Sequence, residues 1–513
     1  MDSDRRETAP GISVLFPAGE PELAAEQPTC FRDLNLDQVV SAIIARRDEY
    51  RLEAYFHTRL RSAGQVTYRQ EVFRDLEDEG LRHAVATFAE EMRKIRTYLA
   101  LVDKQRYRLE KQRWLLDAAC AYCAAVDALR SSLEEIDPGS RAMRSVQAYL
   151  SSYVASERFS TLADRARRVA NGLDRVRYTV RVKGGRVTVA AYEGEEDYTV
   201  KVERTFARFR ERDAASHAVG IRDSGSMDHI DAQIAERVAR LSPAEFRALD
   251  EFCHRHGEFL DPLITRFDRE VQFYLAYLEH VERLADLPLA YPSLTEEWGE
   301  TLVEDGWDIA LAGAARSSSP IVRNDFRLEG RERVLVVTGP NQGGKTTFAR
   351  MVGQLHYLAA LGVPVPAARA TLALADGVFT VFGQREDITN LRGRLDDELI
   401  RLRRILEQAT GHSLILLNEV FASTTVADAV LLGQEILRRI ADVGCAAVWV
   451  TFVDELASFG EPVVSMVAGV EPDDPSKRTF AITRRRADGQ AYAWAIAKKY
   501  GLSYEALKRR VGG

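Results

Sequence analysis

The chain contains 513 residues, of which 46% are apolar and 29% are charged, and its formal net charge is −7. This length and composition are sufficient for several domains with sizeable cores, so disorder of the whole chain is excluded. The acidic balance also excludes a uniformly basic nucleic-acid coat protein, although it allows a local basic surface.

Cysteine use and hydropathy indicate the compartment. Five cysteines at irregular spacing cannot form a disulfide framework in a chain of this length, which favours a reducing environment. The first residues lack the apolar core of a signal peptide, and no run of about 18 uncharged apolar residues occurs. We therefore expect a cytoplasmic protein that does not span a membrane.

The first three segments of the chain differ in periodicity. Residues 1–30 contain four of the sixteen prolines and little periodicity, which predicts a flexible leader. Residues 31–174 place apolar residues three and four apart, which predicts long helices. Residues 175–205 change to the pattern of short strands, with a hairpin over 178–192 and a third strand over 198–202. We expect a small β insert between helices.

The rest of the chain returns to helices and then changes class. Over residues 206–297 the helical pattern resumes, with Ser242 and Pro243 as a helix start. Over residues 298–513, apolar strand-like runs alternate with helices, which predicts an α/β domain with a mainly parallel sheet. The fold class is therefore multidomain, with a helical region that carries a small β insert, followed by an α/β domain. The predicted strands of this domain are 334–338, 378–381, 414–417, 446–451 and 463–467.

A phosphate-binding motif follows the first of these strands. The pattern G-x-x-x-x-G-K-[ST] is complete, and the sequence continues as a helix. Glycines let backbone N–H groups approach phosphate oxygens, and the helix N-terminus adds partial positive charge. Lys345 would bind the terminal phosphates, and the hydroxyl of Thr346 would ligate Mg²⁺. The motif consists of Gly339, Pro340, Asn341, Gln342, Gly343, Gly344, Lys345 and Thr346.

A second buried strand ends in polar residues. The apolar run 414–417 is followed by Asn418 and Glu419. In a nucleotide hydrolase with this motif, the first of these positions holds the magnesium hydration shell and the second orients the attacking water. Asn418 keeps an acceptor oxygen but lacks the charge of an acid. We predict that this strand lies beside the first one, with Glu419 as the general base or water-positioning group.

Several segments together resemble one protein family. Residues 338–347, T-G-P-N-Q-G-G-K-T-T, resemble the phosphate loop of the MutS family of DNA mismatch-repair ATPases, whose usual form is T-G-P-N-M-x-G-K-S-T. Thr346 and Thr347 take the place of the family's Ser-Thr pair. Upstream, the order of helices, strand insert and helices resembles the family's core, lever and clamp regions. The other matching segments are 365–367, 379–388, 418–425, 491–493 and 500–502.

The resemblance implies an ABC-type P-loop ATPase that binds ATP and Mg²⁺, with Thr346 and, through water, Asn418 at the metal. It also implies a homodimer in which a signature segment of the partner subunit closes each nucleotide site. In this sequence that segment lies near 391–398, with Gly393 at the family's serine and Glu398 at its acid. Phe452 takes the place of the family's histidine. Because Asn418 lacks the charge of the family's acid, and Gly393 and Phe452 lack the hydrogen-bonding groups of its serine and histidine, we expect slow hydrolysis.

The resemblance also implies contact with DNA. Thirty residues before the first helices cannot house the family's mismatch-reading and connector domains, so we expect a short form in which direct mismatch reading has the least support. The candidate DNA-binding residues are Arg181, Lys183 and Arg186 of the β insert, although an acidic loop follows them. Three interpretations stay open. They are a MutS-like ATPase of mismatch repair or related DNA maintenance, a relative that acts on branched or recombination DNA, and a nucleotide-gated clamp with little turnover.

Overall fold

A computed structural model of the chain describes residues 12–195, 227–314, 320–383 and 393–487, apart from positions 18, 20, 185, 228, 285–286, 472 and 475–476. The chain forms two compact units. Of the described residues, the first unit contains 12–77, 139–142 and 269–487, and the second contains 78–138 and 143–268. No helix within these ranges is long and apolar enough to cross a membrane.

The helices and strands are numbered in chain order. The α-helices are α1 (Phe31–Leu34), α2 (Leu36–Ile44), α3 (Glu53–His57), α4 (Ala63–Asp75), α5 (Glu79–Lys104), α6 (Arg108–Ile136), α7 (Arg141–Ala155), α8 (Glu157–Asp174), α9 (His229–Leu241), α10 (Pro243–Arg255), α11 (Pro262–Glu282), α12 (Ile309–Ala314), α13 (Lys345–Leu361), α14 (Arg394–Gln408) and α15 (Val426–Val443). The strands are β1 (Tyr178–Lys183), β2 (Arg186–Ala191), β3 (Ser293–Thr295), β4 (Leu302–Gly306), β5 (Asn324–Arg327), β6 (Val334–Thr338), β7 (Arg369–Ala373), β8 (Val378–Phe382), β9 (Leu414–Asn418), β10 (Ala446–Val450), β11 (Val463–Val470) and β12 (Arg478–Arg484).

The second unit is built mainly from long amphipathic helices. Helices α5 and α6 pack against each other, and α6 also packs against α8 and α10. A helical repeat of 3.6 residues brings apolar side chains spaced three and four apart onto one face, which is the face that a helix buries. The residues that α5 buries in this way are Leu81, Val85, Phe88, Ala89, Met92 and Ile95.

The second unit also contains the predicted hairpin. Strands β1 and β2 pair antiparallel, in a register that runs from Tyr178 opposite Ala191 to Lys183 opposite Arg186. This pairing confirms the hairpin that the sequence predicts. The predicted third strand over 198–202 lies outside the described residues.

A six-stranded sheet forms the core of the first unit, in the order β12-β11-β6-β10-β9-β8. All neighbouring strands are parallel except β11 and β12, which are antiparallel. Every residue of β6 and of β10 is buried, as expected for parallel strands with both faces covered. The five predicted strands are confirmed. The prediction that the strand ending at Asn418 lies beside β6 is wrong, because β10 lies between β6 and β9.

The first unit has a second, smaller sheet in the order β3-β7-β4-β5. Strands β3 and β7 are parallel, and the other two pairs are antiparallel. These strands are three to five residues long, too short for a clear alternation of apolar and polar residues. The sequence does not predict them for this reason.

Part of the predicted leader is buried in the first unit. The carboxylate of Glu270 accepts hydrogen bonds from Ser13 Oγ at 2.8 Å and from Val14 N at 2.7 Å. The side chain of Phe16 is 2% exposed. The prediction of a flexible leader is wrong over residues 13–16. The prediction uses only local composition, and local composition cannot indicate that the carboxylate of Glu270, which binds this segment, lies 257 positions after Ser13.

Helix α13, which follows the phosphate motif, is hydrogen-bonded to the N-terminal part of the first unit. Its partners lie in and around helices α1, α3 and α4, and the bonds described here are made by its C-terminal half. They join Gln354 Nε2 to Leu34 O (2.9 Å), Tyr357 Oη to Phe56 O (3.0 Å), Leu60 N to Ala360 O (2.7 Å) and Arg69 Nη1 to Leu361 O (2.8 Å).

The packing of α13 gives a prediction for stability. A Cβ atom on Gly353 would lie 2.5 Å from Leu416 Cδ1 and 2.6 Å from Leu34 Cδ2. We expect Gly353→Ala to lower the free energy of unfolding by about 1–3 kcal/mol, because the added methyl overpacks the core. Urea-induced unfolding followed by circular dichroism measures this change.

The control is Gly313→Ala in α12, where a Cβ atom would have no neighbour within 4 Å. Alanine there should raise the free energy of unfolding by about 0.5–1 kcal/mol, because it is the better helix former. Shifts of the same sign for both variants would contradict the close packing of α13 on β9.

Candidate nucleotide-binding site

The phosphate motif forms a loop at the carboxyl end of β6. The loop begins after the buried strand and ends where α13 starts at Lys345. Gly339 and Gly344 have φ values of +112° and +89°, in the region that favours glycine. A Cβ atom on Gly339 would also lie 3.0 Å from the backbone nitrogen of Ala468, on neighbouring β11. The glycines therefore let the loop turn tightly against β11 and direct it into the N-terminus of a helix.

Lys345 is a buried cation within this loop. It is 6% exposed, and its Nζ donates hydrogen bonds to Gly339 O at 2.9 Å and to Pro340 O at 3.0 Å. Burial lowers the pKa of Lys345, Glu419 raises it, and the nearby guanidinium of Arg478 lowers it further. A buried ammonium held by neutral oxygens favours the arrival of an anion, which would compensate for its desolvation.

Thr346 and Asn418 meet beside the lysine. Thr346 Oγ1 donates a hydrogen bond to Asn418 Oδ1 at 2.9 Å. Thr346 lies in the first turn of α13, and Asn418 is the last residue of β9. The parallel strands β6, β10 and β9 bring their carboxyl ends to one edge of the sheet, so β9 reaches the loop although it is not adjacent to β6. The two oxygens are of the kind that Mg²⁺ prefers.

Glu419 is exposed at the end of β9, in a strained backbone segment. Its φ is +55°, and its N–H donates to Val450 O at 2.9 Å, which joins it to β10. Phe421 has a φ of +66°. A positive φ at a non-glycine residue destabilises the fold by about 1–3 kcal/mol, and this conformation is kept only where the surrounding structure holds it. The backbone therefore holds the carboxylate-bearing residue in a defined position at the same edge as Lys345.

The structure places Gly393 and Glu398 differently from each other. Gly393 is exposed and precedes the first residue of α14, whereas Glu398 is 7% exposed within that helix. The Glu398 carboxylate accepts a hydrogen bond from Phe421 N of the same chain at 2.9 Å. Residues 391–392 of the predicted signature segment, like 384–390 before them, lie outside the described residues. Glu398 thus has an intramolecular contact that its alignment with a signature segment does not predict.

Phe452 follows β10 and is 46% exposed. At this position an aromatic ring offers neither a hydrogen-bond donor nor a titratable group.

Two residues near the loop were missed by reasoning from the sequence. Arg478, the first residue of β12, donates from Nε to Asn341 O at 3.2 Å. Asn324 of β5 binds β12, because its Nδ2 donates to Phe480 O at 3.3 Å and its Oδ1 accepts from Ile482 N. Both contacts depend on β12 lying antiparallel to β11 at the sheet edge, and no local motif indicates this pairing.

The candidate DNA-binding residues lie on the hairpin of the second unit. Lys183 and Arg186 are exposed and face each other at its turn end. Arg181 forms an exposed ion pair with Glu195 at 2.8 Å. Hydrogen bonds from the Glu193 backbone and from Arg181 help to lower the pKa of Glu195 to about 2. An ion pair this exposed is weak because water screens it, so Arg181 stays available to another anion.

Comparisons with known proteins agree with the motif. A family model described as "MutS domain V" matches residues 335–508. An endonuclease MutS2 from Thermus thermophilus is 31% identical over 261 residues, which cover 48% of this chain and 34% of the relative. A DNA mismatch repair protein MutS from Shouchella clausii is 29% identical over 301 residues, covering 53% of this chain and 34% of the relative.

A further DNA mismatch repair protein MutS, from Thermotoga maritima, is 28% identical over 291 residues, which cover 53% of this chain and 35% of the relative. The chain therefore spans about a third of the length of the curated relatives that it matches. The match with the domain model covers the loop, Lys345, Asn418 and Glu419, and the alignments to relatives extend over about half of the chain. Residues 335–508, which carry the candidate site, therefore match MutS domain V, and about half of the chain is similar to proteins of the MutS family.

Proposed function

We propose that the chain is an ATPase that binds ATP and Mg²⁺ at residues 339–347 and couples the nucleotide state to a dimeric clamp on DNA. The observation that carries the proposal is the burial of the Lys345 ammonium among neutral oxygens at the carboxyl edge of a parallel sheet. Ligands of open α/β sheets bind at this edge. The related proteins with mismatch-repair names support a role in DNA mismatch repair or related DNA maintenance.

The residues at this edge fit a magnesium–nucleotide complex. Lys345 supplies positive charge for the terminal phosphates, and the N-terminus of α13 supplies backbone N–H groups. Thr346 Oγ1 and Asn418 Oδ1, 2.9 Å apart, offer oxygen ligands to the metal or its water shell. When bound, Mg·ATP would supply the phosphoanhydride bond that is broken. Glu419 would accept a proton from the attacking water or orient it.

The same site indicates slow turnover. Asn418 lacks the negative charge that would hold the metal firmly, and Phe452 cannot transfer a proton. Gly393 offers no hydroxyl to a partner's nucleotide. The loss of one charge-stabilising contact lowers the rate by about 10²–10³. We therefore propose that ATP binding, rather than rapid ATP hydrolysis, drives the conformational change.

The domain assignment belongs to the same proposal. Residues 31–174 and 206–297 would form the core and lever, 175–205 a clamp-like insert, and 298–513 the ABC-type ATPase that dimerises. The free state of the cysteines, Cys30, Cys120, Cys123, Cys253 and Cys445, fits a cytoplasmic location.

The first experiment is steady-state ATP turnover by the purified protein, alone and with homoduplex, mismatched duplex or four-way junction DNA at moderate salt. We expect slow basal turnover that DNA increases. The best-stimulating DNA distinguishes a mismatch role from a role on branched DNA. Binding of ATP without turnover on any DNA would support a nucleotide-gated clamp, and a lack of ATP binding would overturn the proposal.

Contact with DNA at the hairpin gives a separate prediction. The combined variant Arg181→Ala, Lys183→Ala and Arg186→Ala should bind duplex DNA more weakly, because it loses contacts with backbone phosphates. The slope of log Kd against log salt should fall by about 2–3, since each lost phosphate contact releases about one counterion fewer. Fluorescence anisotropy with labelled duplex measures the slope.

The control for this prediction is Arg93→Ala with Lys94→Ala, two exposed cations on α5 of the same unit. Their removal changes the overall charge but not the hairpin. An unchanged salt slope in the hairpin variant would place the DNA contact elsewhere.

A further inference from the structure

We propose that Glu398 is a positioning residue for ATP hydrolysis. Its side chain holds the backbone segment that carries Glu419. This inference rests on the proposed ATPase function. It gives Glu398 a role within its own subunit, in addition to the position that it shares with the family's signature segment.

The segment to be held contains Glu419, Val420 and Phe421. Both Glu419 and Phe421 adopt positive φ values, so the segment is strained at two positions separated by one residue. Such a segment needs contacts that outweigh its strain. The Glu419 N–H bonds to Val450 O, which fixes the beginning of the segment to β10.

Glu398 fixes the other end. Its carboxylate accepts the Phe421 N–H at 2.9 Å, and both residues are buried. The Phe421 ring is 1% exposed and contacts Trp449 of β10, with ring centroids 6.3 Å apart. The segment is therefore held by its backbone from α14 and by its side chain from β10.

The surroundings of Glu398 argue that this bond has a purpose. Leu395, Leu399 and Leu402 of the same helix pack in the apolar cluster that also contains Phe421. A carboxylate in an apolar cluster is unfavourable unless it is hydrogen-bonded, and an apolar side chain would fill the space at lower cost. At the C-terminal end of the strained segment, the Phe421 N–H donates a hydrogen bond to this carboxylate. Holding Phe421 limits the positions that Glu419, two residues earlier, can take.

The test compares Glu398→Ala and Glu398→Gln with wild-type protein for ATP affinity and for turnover. We expect Glu398→Ala to lower kcat by about 10- to 100-fold, because a small displacement of a catalytic group has an effect of this size. Its Kd for a fluorescent ATP analogue should change less than about 3-fold, since Lys345 and the loop are untouched. Glu398→Gln should recover most of the turnover, because its amide oxygen can accept the same hydrogen bond.

A matched control and a double variant separate positioning from folding. Glu407→Ala removes an exposed acid from the last turn of the same helix, outside residues 391–398, and should leave kcat within about 2-fold of wild type. In a Glu419→Gln background, Glu398→Ala should have no further effect on kcat, because it acts only through Glu419. If Glu398→Ala does not fold, Glu398→Asp takes its place, since it withdraws the oxygen by one methylene and keeps the charge.

The outcomes distinguish this inference from the proposed function. If Glu398→Ala turns over ATP as fast as wild-type protein, the positioning role alone is overturned. The same holds if Glu398→Ala loses ATP affinity and turnover in parallel and Glu398→Gln does not restore them. An additive loss in the Glu419→Gln background would also overturn it. Absence of ATP binding by wild-type protein would overturn the ATPase proposal itself, and the positioning role with it.

Discussion

Replacing Lys345 with alanine should weaken ATP binding by at least about 100-fold. Hydrogen bonds to charged groups contribute about 1.5–3 kcal/mol each, and the variant loses at least two of them to the phosphates. At 1.4 kcal/mol for each factor of ten, the loss is at least two orders of magnitude. The carbonyls of Gly339 and Pro340, which Lys345 now binds, would also face the phosphates without a cation between them.

Isothermal titration calorimetry with Mg·ATP measures this loss, and thermal unfolding shows whether the variant is folded. We expect the fold to survive, because the substitution removes a buried charge rather than leaving one unpaired. Lys477→Ala is the control, since the side chain of Lys477 is 70% exposed and this residue belongs to the same unit. Equal ATP affinity in Lys345→Ala and wild-type protein would contradict the assignment of the loop as the nucleotide site.

Replacing Glu419 with glutamine should trap ATP on the protein. Glutamine keeps the size and the backbone of this exposed residue but cannot accept a proton from water at neutral pH. We therefore expect kcat to fall by about 10²–10³ while ATP affinity stays within about 3-fold of wild type. Single-turnover hydrolysis of radiolabelled ATP separates the chemical step from product release.

The matched control for this variant is Glu455→Gln, an exposed acid on the short helix after β10. It makes the same chemical change at the same end of the sheet and should leave turnover unchanged. Turnover by Glu419→Gln equal to that of wild type would show that another group activates the water. Loss of ATP binding would show instead that the carboxylate shapes the loop.

The core of the α/β sheet is predictable from sequence for a physical reason. Parallel strands covered on both faces consist almost wholly of apolar residues, so β6, β8, β9, β10 and β11 stand out as short apolar runs between helices. The phosphate motif is equally clear, because a tight loop with glycines at positive φ needs a defined spacing. The order of the strands is not predictable in this way, which is why β10 was not expected between β6 and β9.

The parts of the site that escape prediction depend on distant partners. Arg478 reaches Asn341 only because β12 pairs with β11, and the bond between Glu398 and Phe421 joins residues from a helix and a loop 23 positions apart. The burial of Ser13 and Val14 depends on Glu270 in the same manner. No local pattern in these segments specifies a partner so far along the chain.

The bonding of α13 to the N-terminal helices bears on how the ATPase half can be isolated. The family match begins at residue 335, yet the carbonyls of Ala360 and Leu361 are satisfied by Leu60 and Arg69. A fragment cut at residue 298 would leave these carbonyls and the apolar side of α13 facing solvent. The smallest piece suitable for separate expression is thus discontinuous in sequence, and a linker joining residue 77 to residue 269 would preserve it better than an N-terminal truncation.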